Sequence, residues 1–117
     1  MADDIIDLPD VLERVQDDKE LLLELLDIYQ EDFEIKRKAL GDAISLKNFT
    51  TIKEIAHSMK GSSGNISAKR LYATCLQLEA QAKENNSAGL EDLLKMIDSQ
   101  YEEVKANAIK LKNQFAA

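Results

Sequence analysis

The chain has 117 residues, 44% apolar and 32% charged, which fits one domain with enough apolar material for a core. Its net charge of −7 argues against general nucleic-acid binding. The longest apolar cluster, Leu21-Leu22-Leu23, is interrupted by Glu24, so no run spans a membrane, and no basic-plus-apolar signal opens the chain. The expectation is a cytoplasmic protein, or a fragment of something larger.

Met1 to Asp7 is acidic and expected to be frayed. Residues 8–15 read as a short helix, with Pro9 in its first turn and Val11, Leu12 and Val15 on one face. It is too short to stand alone and must pack on something. Asp17 or Asp18 is expected to cap a second helix to about residue 46, with Leu22, Leu25, Leu26, Tyr29, Phe33, Leu40 and Ile44 as its stripe. A helix this long for its domain invites a bend, and Gly41 weakens the helical pattern of its last turns. A third helix, about 49–65, starts near Asn48 or Thr50, and Thr51 to Glu54 has the spacing of a capping box. Ser67 is expected to cap a fourth helix to about Glu84, with Leu71, Cys75, Leu78 and Ala82 facing inward. Cys75 excludes an internal disulfide or a multi-cysteine zinc site and reads as a small buried hydrophobe. After the loop Asn85-Asn86-Ser87, Ser87 is expected to begin the last helix, about 87–115. Its seam is Leu90, Leu93, Leu94, Ile97, Tyr101, Val104, Ala108, Leu111 and Phe115. No strand or hairpin pattern appears. The fold class is all-α: an antiparallel up-down four-helix bundle with a short extra N-terminal helix.

The third helix holds the only histidine in the chain and two of its four glycines. Its buried stripe is Ile52, Ile55, Ala56, Met59, Ser63 and Ile66. At about 100° per residue, His57 lies roughly 140° from the centre of that stripe and points to solvent. Lys53, Lys60, Gly61 and Gly64 share its face. A glycine inside a helix costs about 1 kcal/mol relative to alanine, so two beside a histidine suggest a close approach to the backbone. Charge is uneven too. Residues 1–34 carry thirteen acids and two bases; the remainder carries nine acids and thirteen bases. Between Lys53 and Arg70 there are four bases and one acid. An exposed imidazole, bare helix and nearby ammonium groups suit carrying a phosphoryl group and presenting it to another protein. An ordinary surface histidine is the bland alternative.

The run His57-Ser-Met-Lys60-Gly61-Ser-Ser-Gly64-Asn-Ile-Ser67-Ala-x-x-Leu71 resembles the signature of histidine-containing phosphotransfer (HPt) domains. Cys75 to Lys83 resembles the family's following helix. The resemblance implies that His57 is the phosphoacceptor, Lys60 the phosphate neighbour and Gly61 the residue that leaves room for a partner. Ser67 departs from the glycine usual at that turn, a change expected to alter the turn and not the chemistry.

An imidazole that attacks phosphorus needs one free nitrogen, with the proton on the other held by an acceptor. Nε2 projects furthest, and Glu79 on the next helix's flank is the candidate acceptor for Nδ1–H. A surface pair of Glu79 with Lys83 is the equal alternative. Lys53, Gly61, Gly64 and Lys83 are candidate partner contacts. No P-loop order and no metal-binding set occurs, so the chain is expected to have no cofactor of its own and no independent catalytic activity. The resemblance implies a response-regulator receiver domain, bringing Mg²⁺ and its aspartate, and an upstream (hybrid) histidine kinase as partners. A monomer that binds no nucleic acid or membrane is expected. Two rivals are a helical adaptor that binds receivers without carrying phosphate, and an enzyme using His57 as a general base. The latter needs a pocket beside it. The chain could be freestanding or part of a larger kinase.

Overall fold

A computed structural model describes residues 5–115. They form five helices in the order α1 (Leu8–Arg14), α2 (Lys19–Ser45), α3 (Phe49–Asn65), α4 (Lys69–Lys83) and α5 (Leu90–Phe115). No strand occurs among them. The part of the N-terminal expectation that falls on residues 1–4 lies outside the described residues. For the rest it is corrected: Ile6 is buried, and the Asp7 side chain caps α1 by accepting from the Asp10 amide.

Each long helix buries the stripe its sequence spacing dictates. Leu22, Leu26, Tyr29, Phe33, Leu40 and Ile44 of α2 meet Ile52, Ala56 and Met59 of α3. Leu71, Cys75 and Leu78 of α4, with the α5 seam from Leu90 to Leu111, join the same core. Fully burying one such large apolar side chain is worth about 1.5–3 kcal/mol, so this core carries the fold. Phe33 stacks on Tyr101 at 3.8 Å between centroids, fixing α2 against α5. Burial pushes the Cys75 thiol up to about 12, which leaves it an inert hydrophobe.

The packing forms a ring. α3 lies against α2 and α4, and α5 against α4 and α2, leaving α5 diagonal to α3. Across α2 and α5, Arg37 pairs with Asp98, the Tyr101 hydroxyl donates to Glu34, and Lys112 pairs with Asp27. α2 runs unbroken through Gly41. A Cβ there would come to 2.7 Å from Arg37 Nη1, the far end of a flexible side chain that would have to shift.

The helix ends correct three expectations. Asn48 caps α3 by accepting from the Thr51 amide, so Thr51 to Glu54 lies inside the helix and forms no capping box. Ser67 does not cap α4; Ala68 stands at that position, without a side-chain bond. Instead Ser67 is the left-handed residue (φ +58°) that closes α3. Its amide donates to Gly64 and that of Ala68 to Ser63, the paired bonds of a Schellman motif. Lys47 and Asn85 close α2 and α4 in the same way, and Gln16 closes α1. Ser87 does not start α5, whose regular turns begin at Leu90 after Gly89 at φ +78°.

Ser67 also explains how a seven-residue α1 stays in place. Its carbonyl accepts from the Asp7 amide, and its hydroxyl donates to Asp10 Oδ2 at 2.6 Å. Lys69 pairs with Asp7, and Asn107 of α5 accepts from the Ile6 amide. These bonds, with buried Val11, tie α1 to the end of α3 nearer residue 65.

Candidate functional site

His57 sits mid-way along α3, on the face away from Ala56 and Met59, and its side chain is 68% exposed. Glu79 of α4 faces it. Nδ1 of His57 lies 2.7 Å from Glu79 Oε2, and the second oxygen, Oε1, accepts from Lys60 Nζ at 2.7 Å. One carboxylate therefore holds a histidine and a lysine that are three residues apart on the neighbouring helix. Glu79 makes this contact instead of the same-helix pair with Lys83. Glu79 and Lys60 are sheltered, at 19% and 18% exposure, so these bonds are better shielded from water than an open surface pair.

The Lys60 ammonium and, secondarily, the bond from His57 hold the Glu79 carboxyl below its usual range; partial burial opposes them. Bonding to the same carboxylate raises Lys60. An ionised carboxylate only accepts hydrogen bonds, so the neutral imidazole carries its proton on Nδ1. Nε2 is then left with its lone pair. The imidazole is thus held at Nδ1 by Glu79, with the rest of the ring open to solvent.

The two glycines on this face differ. A side chain at Gly64 would approach Tyr72 Cδ2 to 3.3 Å, so that glycine lets the Tyr72 ring lie on α3. A side chain at Gly61 would meet nothing within 4 Å. Nothing inside the described chain accounts for the helix stability forgone at Gly61. Lys53 and Lys83 are exposed on α3 and α4, and the structure brings neither into the Glu79 cluster. Ile28 and Ile35 of α2, which sequence reasoning did not single out, stand 61% and 74% exposed. Their signal was a seven-residue spacing on the outer face of α2, about 120–140° from the centre of the buried stripe at about 100° per residue.

Clefts of about 510, 440 and 200 Å³ are among those that indent the described residues, and His57 lines none of these. No helix is long and apolar enough to cross a membrane.

Comparison with known proteins agrees with the sequence motif. The family model of the Hpt domain matches residues 24–107, a span that contains His57, Lys60 and Glu79. The chain belongs to the Hpt domain family, the histidine-containing phosphotransfer domains. Its fold is shared with the crystal structure of histidine-containing phosphotransfer protein B (HptB) from Pseudomonas aeruginosa PAO1, at a TM-score of 0.88 and 23% identity, covering 98% of this chain and 99% of that one. No curated protein matches.

Proposed function

We propose that this chain is a phosphorelay intermediate: Nε2 of His57 accepts a phosphoryl group from, and returns it to, the aspartate of a response-regulator receiver domain. The observation that carries this reading is the bond from His57 Nδ1–H to Glu79, which leaves Nε2 free towards solvent. Family membership supports the chemistry.

In the accepting direction, the Nε2 lone pair attacks phosphorus of the receiver's acyl phosphate. The N–P bond forms as the P–O bond to the aspartyl carbonyl group breaks, and the carboxylate leaves with its electron pair. The imidazole becomes cationic with Nδ1 still protonated, and Glu79 stabilises that charge. The reverse step uses the same groups. Lys60, already beside the site, is a flexible point charge for the phosphoryl oxygens. Lys53, Gly61, Gly64 and Lys83 contribute to the partner surface. Mg²⁺ belongs to the receiver, and an upstream (hybrid) histidine kinase supplies phosphate to the relay. The convex setting of His57 fits a carrier that works only at an interface, without catalysis of its own.

The same reading takes the chain as one domain, residues 1–117, monomeric and cytoplasmic, binding neither nucleic acid nor membrane. It takes the architecture as an antiparallel up-down four-helix bundle. Pairs such as Arg37–Asp98 and Glu34–Tyr101, and Gly64–Tyr72 and His57–Glu79, run in opposite chain sense and support that arrangement.

The test is incubation with receiver domains charged by acetyl phosphate, with His57→Gln alongside. An acid-labile label on the wild type alone is expected. No label from receivers that do charge another phosphotransfer domain would favour the non-phosphorylated adaptor.

A further inference from the structure

The geometry points to a bipolar docking face, on which an acidic edge of α2 selects receiver domains whose contact surface has an apolar strip bordered by lysine or arginine. This rests on the carrier reading above and names the chemistry of the partner.

Three observations combine. First, α2 carries a second apolar line besides its buried stripe. Leu21, Ile28 and Ile35 recur every seven residues and stand 39%, 61% and 74% exposed. At about 100° per residue they drift only about 20° per step, so they form one strip along the helix. Nothing in the core accounts for Ile28 and Ile35, and desolvating two isoleucines is a gain that only a partner can realise.

Second, this strip borders the histidine helix. A shallow cleft of about 200 Å³ runs between α2 and α3, lined by Leu25, Ile28 and Asp32 on one side and Ser62 and Asn65 on the other. Ser62 adjoins Gly61, whose missing side chain leaves open space one turn from His57. The strip meets this cleft at Ile28, and Asn65, Ser62 and Gly61 carry the α3 surface from the cleft towards His57, with exposed Glu54 beside them.

Third, the outer border of the strip is acidic between Glu20 and Glu31, with exposed Lys38 beyond Ile35. Glu24 lies four residues before Ile28, and Glu31 three residues after it and four before Ile35. Glu20 continues the line beside Leu21. All three are exposed, and no ion pair engages them among the described residues. Asp32 and Asp27, by contrast, are paired with Lys36 and Lys112. Lys53 lies on the other border, on α3 one turn before His57. A partner thus meets negative charge at one edge of its footprint and positive charge near the histidine. A receiver's acidic phosphorylation site fits the second edge, and a basic border fits the first. Such complementarity fixes orientation and raises the encounter rate, and it weakens with salt.

The test uses isolated receiver domains charged with acetyl phosphate, each bearing lysine or arginine beside its apolar contact surface. Transfer rates to the wild type, Glu24→Lys/Glu31→Lys, Ile28→Ala/Ile35→Ala and Glu103→Lys are measured at low and high salt. Glu103 lies on α5, diagonal to α3, and serves as a charge control. Circular dichroism checks that each variant is folded; the substituted α2 side chains are all exposed, so the fold does not depend on them. The expected result is a loss of about tenfold or more in kcat/KM at low salt for the glutamate variant, through KM. Its salt dependence should be flatter than that of the wild type. The isoleucine variant should lose rate at both salt levels, and Glu103→Lys should match the wild type. Equal rates and equal salt slopes in the wild type and the glutamate variant would overturn the proposal and leave the carrier reading intact. A wild type that takes no label from any receiver would overturn both.

Discussion

Glu79 Oε2 lies 2.7 Å from Nδ1 of His57, across the interface of two neighbouring helices. That contact turns an exposed imidazole into one with a defined tautomer and ring orientation. Lys60 on the other oxygen keeps the carboxylate ionised and in place.

Glu79→Gln keeps the shape but removes the charge that stabilises a cationic imidazole. Phosphotransfer to His57 should slow by about tenfold or more, each tenfold corresponding to about 1.4 kcal/mol of barrier. Nitrogen-15 shifts of the ring should show the Nδ1–H tautomer losing its dominance. An unchanged rate with an unchanged tautomer would assign Glu79 to packing alone.

Acid should loosen both the site and the α1 tether. Asp7, Asp10 and Glu79 all have carboxyls below their ordinary values, through Lys69, Ser67 and Lys60 respectively. Groups with depressed folded values stabilise the protein above the ordinary values of 3.8 and 4.5 and lose that contribution as pH falls through the lowered ones. Urea midpoints should therefore drop as pH is lowered below 4.5. In Asp10→Asn the drop should be shallower, because Asn cannot titrate.

Lys47 and Ser67 both hold left-handed backbone, at φ +53° and +58°, where a side chain costs about 1–2 kcal/mol. Lys47 is exposed, so Lys47→Gly should stabilise the chain by about 1 kcal/mol. Ser67→Gly gains the same backbone relief but loses the hydroxyl bond to Asp10, so its net effect should be smaller. Urea unfolding of the two variants decides this. A larger gain at Ser67 would mean that the Asp10 contact contributes little.

Gly61→Ala and Gly64→Ala should separate stability from function. Alanine at Gly61 enters open space and should add about 1 kcal/mol of helix stability while slowing transfer from a receiver. Alanine at Gly64 must displace the Tyr72 ring by a few tenths of an ångström, so its stability gain should be smaller or absent. Thermal melts and transfer rates on both variants check this.

The bundle stripes and the exposure of His57 were legible because helical periodicity directly encodes which residues face a core. Glu79 could be nominated from its flank position. Its double contact could not, because that depends on how α3 and α4 register, which no local pattern records. Ser67 misled for a related reason. Serine is favoured at helix N-caps, whereas the turn here demands a left-handed residue, and the cost is offset by a long-range bond to Asp10. The exposure of Ile28 and Ile35 was legible in principle, since both lie about 120–140° from the centre of the buried stripe; what spacing does not record is that no other helix among the described residues covers that face.

The most direct measurement is nitrogen–phosphorus correlation NMR on histidine-labelled protein charged by a phosphorylated receiver. With one histidine in the chain, assignment is unambiguous. A phosphorus coupled to Nε2 of His57, with Nδ1 still protonated, is the predicted result. Coupling to Nδ1, or a phosphorylated protein with no nitrogen–phosphorus bond, would contradict the account.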